Sequence, residues 1–335
     1  MKSSLTSLVA LTATVITSGA FAASNMENPL YMPKSNEAYV KLGAAAMYKK
    51  VDATDATKIK GTDGNVEFPV WRFTGDLGYG ITDRLDIHGR FGYTHDHHIN
   101  RSGMHRGRLG LTFRALTEKS PVVWDLYADA YLSGVTPMKG TLLQYGPNMG
   151  FEFANYSNGR YGVIAGTRFG KTFSNDLTLA AHVEYLQTFG NNRNKINIGI
   201  PAYATILGAD QISVELKSTH EWTTAFDAMY QLNTKWSIGG GFEYVQHADN
   251  GVEGIDTKIN DSDQARTVAA GLLEKTKDMK DGWDEYVIKV NGAYQMTDAL
   301  QLAVFAEYTF DDSHANSQNG TDIKAEAGVR LNTRF

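Results

Sequence analysis

The chain of 335 residues contains no cysteine. That excludes a disulfide framework and any thiolate metal site. Proline is scarce, at 7 residues, so little of the chain is committed to rigid linker or polyproline structure. Beyond the first two dozen residues no stretch approaches the roughly 20 uninterrupted apolar residues that a membrane helix needs. Mean hydropathy is −0.33. Helical membrane crossings are thereby excluded, but crossings by strands are not. A strand with one face in lipid and one face in water averages to almost nothing on a hydropathy scale. Charge of one sign is lacking too: the net charge is −5, which argues against a nucleic-acid partner.

What the chain does have is 33 glycines and 11% aromatic residues, a composition suited to strands joined by tight turns. The amino terminus reads as an export signal. Lys2 is followed by the apolar-to-small run Leu5 to Ser18, and Ala20-Phe21-Ala22 fits a small-residue cleavage site. Residues 1–22 are therefore expected to be removed. Residues 23–37 are polar, carry Pro29 and Pro33, and read as a flexible periplasmic lead-in. Residues 38–335 read as the folded body.

Through that body runs one repeating unit: an aromatic-rich strand, a short turn of Asn, Asp, Thr or Ser, and a second strand. Leu77 to Leu85, Phe173 to Leu177, Tyr230 to Trp236 and Tyr294 to Leu300 are the plainest cases, and Thr117 to Pro121 is a longer one. The opposite strand ends carry long connections near 52–65, 96–104, 134–158, 190–218, 249–283 and 313–322. The count is about twelve strands, near 38–51, 66–80, 84–95, 105–116, 122–133, 159–173, 177–189, 219–232, 236–247, 284–296, 300–311 and 323–335. Met149 to Tyr156 and Ile196 to Ile200 could add a hairpin and make fourteen.

A strict period of two assigns the faces. From Leu300 to Phe310 the even positions are apolar or aromatic, while Gln301, Glu307 and Asp311 fall on the other face. Aromatics collect at both ends of the apolar face. Tyr79, Trp124, Phe173, Tyr230, Trp236, Tyr294 and Phe335 lie by the turns, and Tyr48, Tyr93, Tyr185, Trp222, Tyr244 and Tyr308 by the loops. Two such bands match the girdles at the two interfaces of a membrane. The reading is all-β: a transmembrane, antiparallel, up-and-down β-barrel of about 12 strands, with 14 as the alternative.

The export signal, the Gly80-Ile-Thr-Asp-Arg-Leu85 turn and a terminal strand ending on Phe335 together resemble Gram-negative outer-membrane β-barrel proteins of the porin kind. The resemblance covers nearly all of the expected mature chain. It implies location in the bacterial outer membrane, contact with its lipid and lipopolysaccharide, and insertion by the barrel-assembly machinery. That machinery would read Val329, Leu331 and Phe335 of the last strand as an assembly signal. Thr333 departs from the apolar residue usual at its place.

With the polar face inward, Arg72, Arg90, Arg106, Arg108 and Arg114 line strands two to four. Asp125, Asp129, Glu184, Asp227, Glu243 and Glu307 follow on strands five to eleven, and Arg330 and Arg334 rejoin the basic side. A basic wall is expected to face an acidic one across a narrow lumen, which favours small polar or anionic solutes. The function expected is diffusion of such solutes through a charge-lined channel, with no cofactor and no enzymatic activity. A plugged structural or adhesive barrel is an alternative, because narrow barrels fill themselves with side chains. Loop 249–283 carries Ala265, Val268, Ala269, Leu272 and Leu273 at helical spacing, for a constriction, a lid or a solvated loop helix. A surface hydrolase resembling the omptins is a further alternative, using loop-side His and Asp residues such as Asp312 and His314 to activate water. His95, His97 and His98, with Asp96 among them, are candidates for a metal site.

Overall fold

The computed structural model describes residues 25–51, 70–96, 101–132, 139–145, 148–153, 160–173, 176–248, 252–256, 260–277, 282–311 and 321–335. The expected signal segment lies outside them. In chain order the strands are β1 Ala38–Val51, β2 Val70–Thr82, β3 Leu85–Asp96, β4 Arg101–Leu116, β5 Val123–Tyr131, β6 Lys139–Tyr145, β7 Asn148–Phe153 and β8 Tyr161–Thr172. They continue as β9 Leu177–Phe189, β10 Asn191–Ile198, β11 Gln211–Leu216, β12 Thr219–Gln231, β13 Trp236–His247, β14 Val252–Asp256, β15 Trp283–Gln295, β16 Leu300–Asp311 and β17 Thr321–Arg334. Two helices are described, α1 Pro201–Leu207 and α2 Asp263–Lys277.

Twelve of these strands close a barrel in the order β1-β17-β16-β15-β13-β12-β9-β8-β5-β4-β3-β2. All of its pairings are antiparallel. The terminal strand makes the closure: Phe335 N–H donates to the Ala38 carbonyl at 2.9 Å, and Ala38 N–H donates back at 3.2 Å. Closure leaves no unpaired edge, which is what a strand assembly in lipid requires. Side chains make the turns. Asn233 Oδ1 accepts the Lys235 and Trp236 amides at 2.9 and 3.0 Å, and Thr297 Oγ1 accepts those of Ala299 and Leu300.

The two faces divide as the parity demands. Leu302, Val304 and Tyr308 point outward and are exposed, while the intervening Ala303 is buried. Outward aromatics meet as cross-strand neighbours at both rims. Trp236 and Tyr294 are 4.6 Å apart at the turn end, and Tyr185 and Trp222 are 4.7 Å apart at the loop end. Beside the latter, Tyr244, Tyr286 and Phe310 run in contact across three strands.

The fourteen-strand count does not hold. Met149 and Ile196 belong to a second sheet, in the order β14-β11-β10-β6-β7, where β10 runs parallel to β6. This sheet grows from the barrel wall. Thr188 faces Thr219 across β9 and β12, and Asn191 faces Leu216 across β10 and β11 in the same register. The sheet's apolar side is covered by the helices: Ile196, Ile198, Ile212, Val214 and Leu216 pack with Leu207, Ala265 and Leu272. The loop helix expected from the spacing of Ala265 and Leu272 is thus present as α2, with both residues buried in this core rather than solvated.

Candidate functional site: the lumen and its narrow end

The inward parity brings Arg72, Arg90, Arg108 and Arg114 into the barrel, and each meets an acid. Arg90 Nε donates to Asp76 at 2.7 Å. Both terminal nitrogens of Arg108 hold Glu184 at 2.7 Å, with Asp129 at 3.8 Å. Arg114 and Arg168 share Asp125, at 2.8 and 2.6 Å. His88 sits between Asp86 and Asp129, at 2.9 and 3.1 Å. Further round, Lys289 pairs with Glu243, and Asp227 lies 3.8 Å from His182.

Register explains these pairs. Asp76 is opposite Arg90 across the β2–β3 turn, and Asp125 is opposite both Arg114 on β4 and Arg168 on β8. Arg72 reaches Glu326 at 2.6 Å by passing over β1, where its cross-strand partner is the small Ala45. The expected basic and acidic walls are therefore interleaved. Asp76 and Glu326 sit among the arginines, and Arg168 and Lys289 sit among the acids. In the Arg–acid pairs and in Lys289–Glu243 the charges balance within a few ångströms, which weakens a transverse field. The lumen is nevertheless wet: the Arg90 side chain is 56% exposed and those of Asp227 and Lys289 are 30% exposed.

The short-turn end is different. Residues 25–37, expected to be a flexible lead-in, cross it as a strap. Asn25 donates to Gln231 on β12 at 3.0 Å and to Ser237 on β13 at 2.8 Å, and it accepts from Gln301 on β16 at 2.7 Å. Glu27 accepts from Arg330 at 3.1 Å and from Asn332 at 2.7 Å. On the far side, Asn28 reaches Thr178 on β9, and Leu30 packs with Val123 and Ala180. The Leu30 carbonyl accepts from Arg114 at 2.7 Å. The strap then returns to the wall through Ser35, whose amide donates to Asp83 at 3.0 Å. Met26 is fully buried. Burial works to raise the Glu27 carboxyl, but Lys41 and Arg330 beside it prevail, and its pKa lies below the usual range.

Other expected site residues fall as follows. Glu307 is opposite Lys289 in register. Arg334 donates twice to the Asp298 carbonyl, at 3.0 and 2.7 Å, and so clamps the β15–β16 turn. The side chain of Arg106 lies outside the described residues, as do His97, His98, Asp312 and His314. Among the described residues no cluster of His, Asp and Glu is arranged to hold a metal ion. Val329, Leu331 and Phe335 face outward, exposed. Thr333, between Val40 and Leu300 in register, is buried, so the position needs a small residue more than an apolar one.

Comparison with solved structures gives an outer membrane channel from Pseudomonas putida at a TM-score of 0.54 and 13% identity, covering 96% of this chain and 100% of that one. The fold is that of an outer-membrane β-barrel. The TodX monoaromatic hydrocarbon channel (TM-score 0.43, 9% identity, 90% of each chain) and the NanC porin (0.40, 8%, covering 87% and 98%) are more distant. No family model and no curated protein matches the sequence.

Two features of this barrel escape sequence reasoning. The acids Asp76 and Glu326 carry the same period-two signal as the arginines and become visible once register is applied. The strap gives no local signal, since the wall residues from Asp83 to Asn332 that anchor it lie from 48 to 305 positions away.

Proposed function

We propose that the protein is a channel of the Gram-negative outer membrane, exported by its signal peptide, that passes small polar or anionic solutes by diffusion. The observation that carries this reading is Arg90: an inward-facing guanidinium, more than half exposed to water within a barrel whose outer wall is apolar. A barrel filled for structure alone buries such a group or removes it. Outer-membrane lipid and lipopolysaccharide surround the wall in this reading. The barrel-assembly machinery recognises the outward Val329, Leu331 and Phe335, and small polar solutes traverse the lumen.

The strap favours a second reading, a barrel closed at its periplasmic end. Conductance of the refolded full-length mature protein in planar bilayers separates the two. Discrete current steps support the channel; silence over a wide salt range leaves the closed barrel. Arg90→Glu is expected to move ion selectivity toward cations. Selectivity identical to the unaltered protein would remove Arg90 from the ion path.

A further inference from the structure

Beneath the strap lies a cavity of about 700 Å³, bounded by the β2–β3 and β4–β5 turns and the end of β8. That is the size of a small-molecule site. Its walls are of two kinds. Leu30, Met32 and Pro33 of the strap and Pro121 and Val123 of the barrel supply apolar surface. Charge comes from the basic Lys34, Arg84, Arg114, Lys119 and Lys171, against only Asp83 and Glu118. Five cations against two acids leave a surplus of three positive charges.

Both acids are already engaged. Asp83 accepts the Ser35 amide, and Glu118 pairs with Arg114. Arg114 in turn is saturated by Asp125, Glu118 and the Leu30 carbonyl. The cations left to meet a ligand include Arg84 at the first turn and Lys119 at the second; Lys171 at the end of β8 shares the outward parity of Phe169 and holds its Nζ 5.6 Å from the centre of the Phe173 ring. Arg84 and Lys119 come from separate hairpins, and the fold brings them to the rim of one cavity. Val123 and Leu30 are buried inward residues, and Val122, on the outward side of the same strand end, completes the apolar wall at the rim of the barrel mouth.

We propose that this cavity is a periplasmic subsite for a small organic acid: a carboxylate held between Arg84 and Lys119, with an apolar body against Leu30, Met32 and Pro33. The site deepens the channel reading by naming the class of solute that pauses before release. It depends on the strap for one wall, which gives a structural reason for an ordered segment in the mouth of a channel.

The test uses the refolded full-length mature protein in detergent micelles, with benzoate as probe, benzyl alcohol as its uncharged match and acetate as the carboxylate without a body. Binding is read by titration calorimetry. Benzoate is expected to bind more tightly than either control. The double substitution Arg84→Gln and Lys119→Gln should weaken benzoate by about tenfold, since exposed charges contribute modestly one by one. Benzyl alcohol should be unaffected. Arg84→Lys and Lys119→Arg together should retain binding. Equal benzoate binding by the unaltered and double-Gln proteins would overturn the site, as would benzyl alcohol matching benzoate, because both mean partition into apolar surface. The measurement needs no current. Conductance without benzoate binding therefore removes the subsite alone, and binding without conductance removes the channel alone.

Discussion

Asp125 is the residue on which the inner wall of the barrel most depends. It is fully buried and takes two guanidinium groups, from Arg114 and Arg168. Removing one partner of a buried ion pair leaves the other charge desolvated, a loss of about 3–5 kcal/mol. Asp125→Ala is accordingly expected to lower the barrel's stability by that order, read as a shift of the urea unfolding midpoint in micelles. Asp76→Ala, whose partner Arg90 keeps its water, should cost far less, about 0–1 kcal/mol. Glu27 makes the complementary prediction in pH. Its folded pKa is depressed, so its contribution is present above the unfolded value, about 4.3, and is lost as pH falls through the folded value. Acidification below the unfolded value should therefore progressively loosen the strap and raise conductance. Glu27→Gln should remove that acid response, and a response unchanged by the substitution would place its origin elsewhere.

At the scale of elements, the strap and the outer sheet are the two parts that parity alone does not foretell. A strand announces itself because a period of two is local, and every barrel strand carries it. The strap's partners are far off in sequence, so Asn25, Glu27 and Asn28 look like linker residues until the barrel closes around them. Its anchoring is uneven. Asn25 to Asn28 hold by hydrogen bonds and one ion pair, whereas Leu30 adds side-chain packing to the hydrogen bond its carbonyl accepts from Arg114. The asymmetry gives a clean experiment in a chain that has no cysteine of its own. Asn25→Cys with Ser237→Cys, replacing two side chains in contact at 2.8 Å, should bridge on oxidation and fix the strap. Open-channel current is expected to be steady when oxidised and to rise or flicker on reduction. No difference between the two states would mean that the strap does not move during conduction. The outer sheet was legible only as two candidate strands, near 149–156 and 196–200, because its strands are short and one pairs in parallel with a distant segment. Leu272→Ala should cost about 2–5 kcal/mol within that unit, seen as faster proteolysis of the α2 segment while the barrel resists.

For the whole molecule, the decisive quantity is the environment of the outer wall. The faces were legible from sequence because lipid and water impose opposite demands on alternate residues. Pairing inside the lumen was legible only in part: Asp76 and Arg90 follow from one tight turn, but Arg72 and Glu326 meet only after β17 has closed on β1. The outward residues Val290, Val304 and Val329, on three adjacent strands, are each about half exposed. Such a surface in water is an aggregation hazard; in a bilayer it is solvated. Val304→Arg and Ala303→Arg separate the environments. Val304 points outward at mid-strand, so an arginine there should cost about 2–4 kcal/mol in a bilayer and almost nothing in a water-exposed wall. Ala303 points inward, is buried and lies opposite Arg330, so its arginine meets a like charge in either environment. Folding stability of both variants in lipid vesicles, measured by urea titration, is the check. A destabilised Val304→Arg protein puts this wall in lipid. If Val304→Arg folds as stably as the unaltered chain, the apolar band is not at the bilayer core, and the channel loses the membrane it was built to cross.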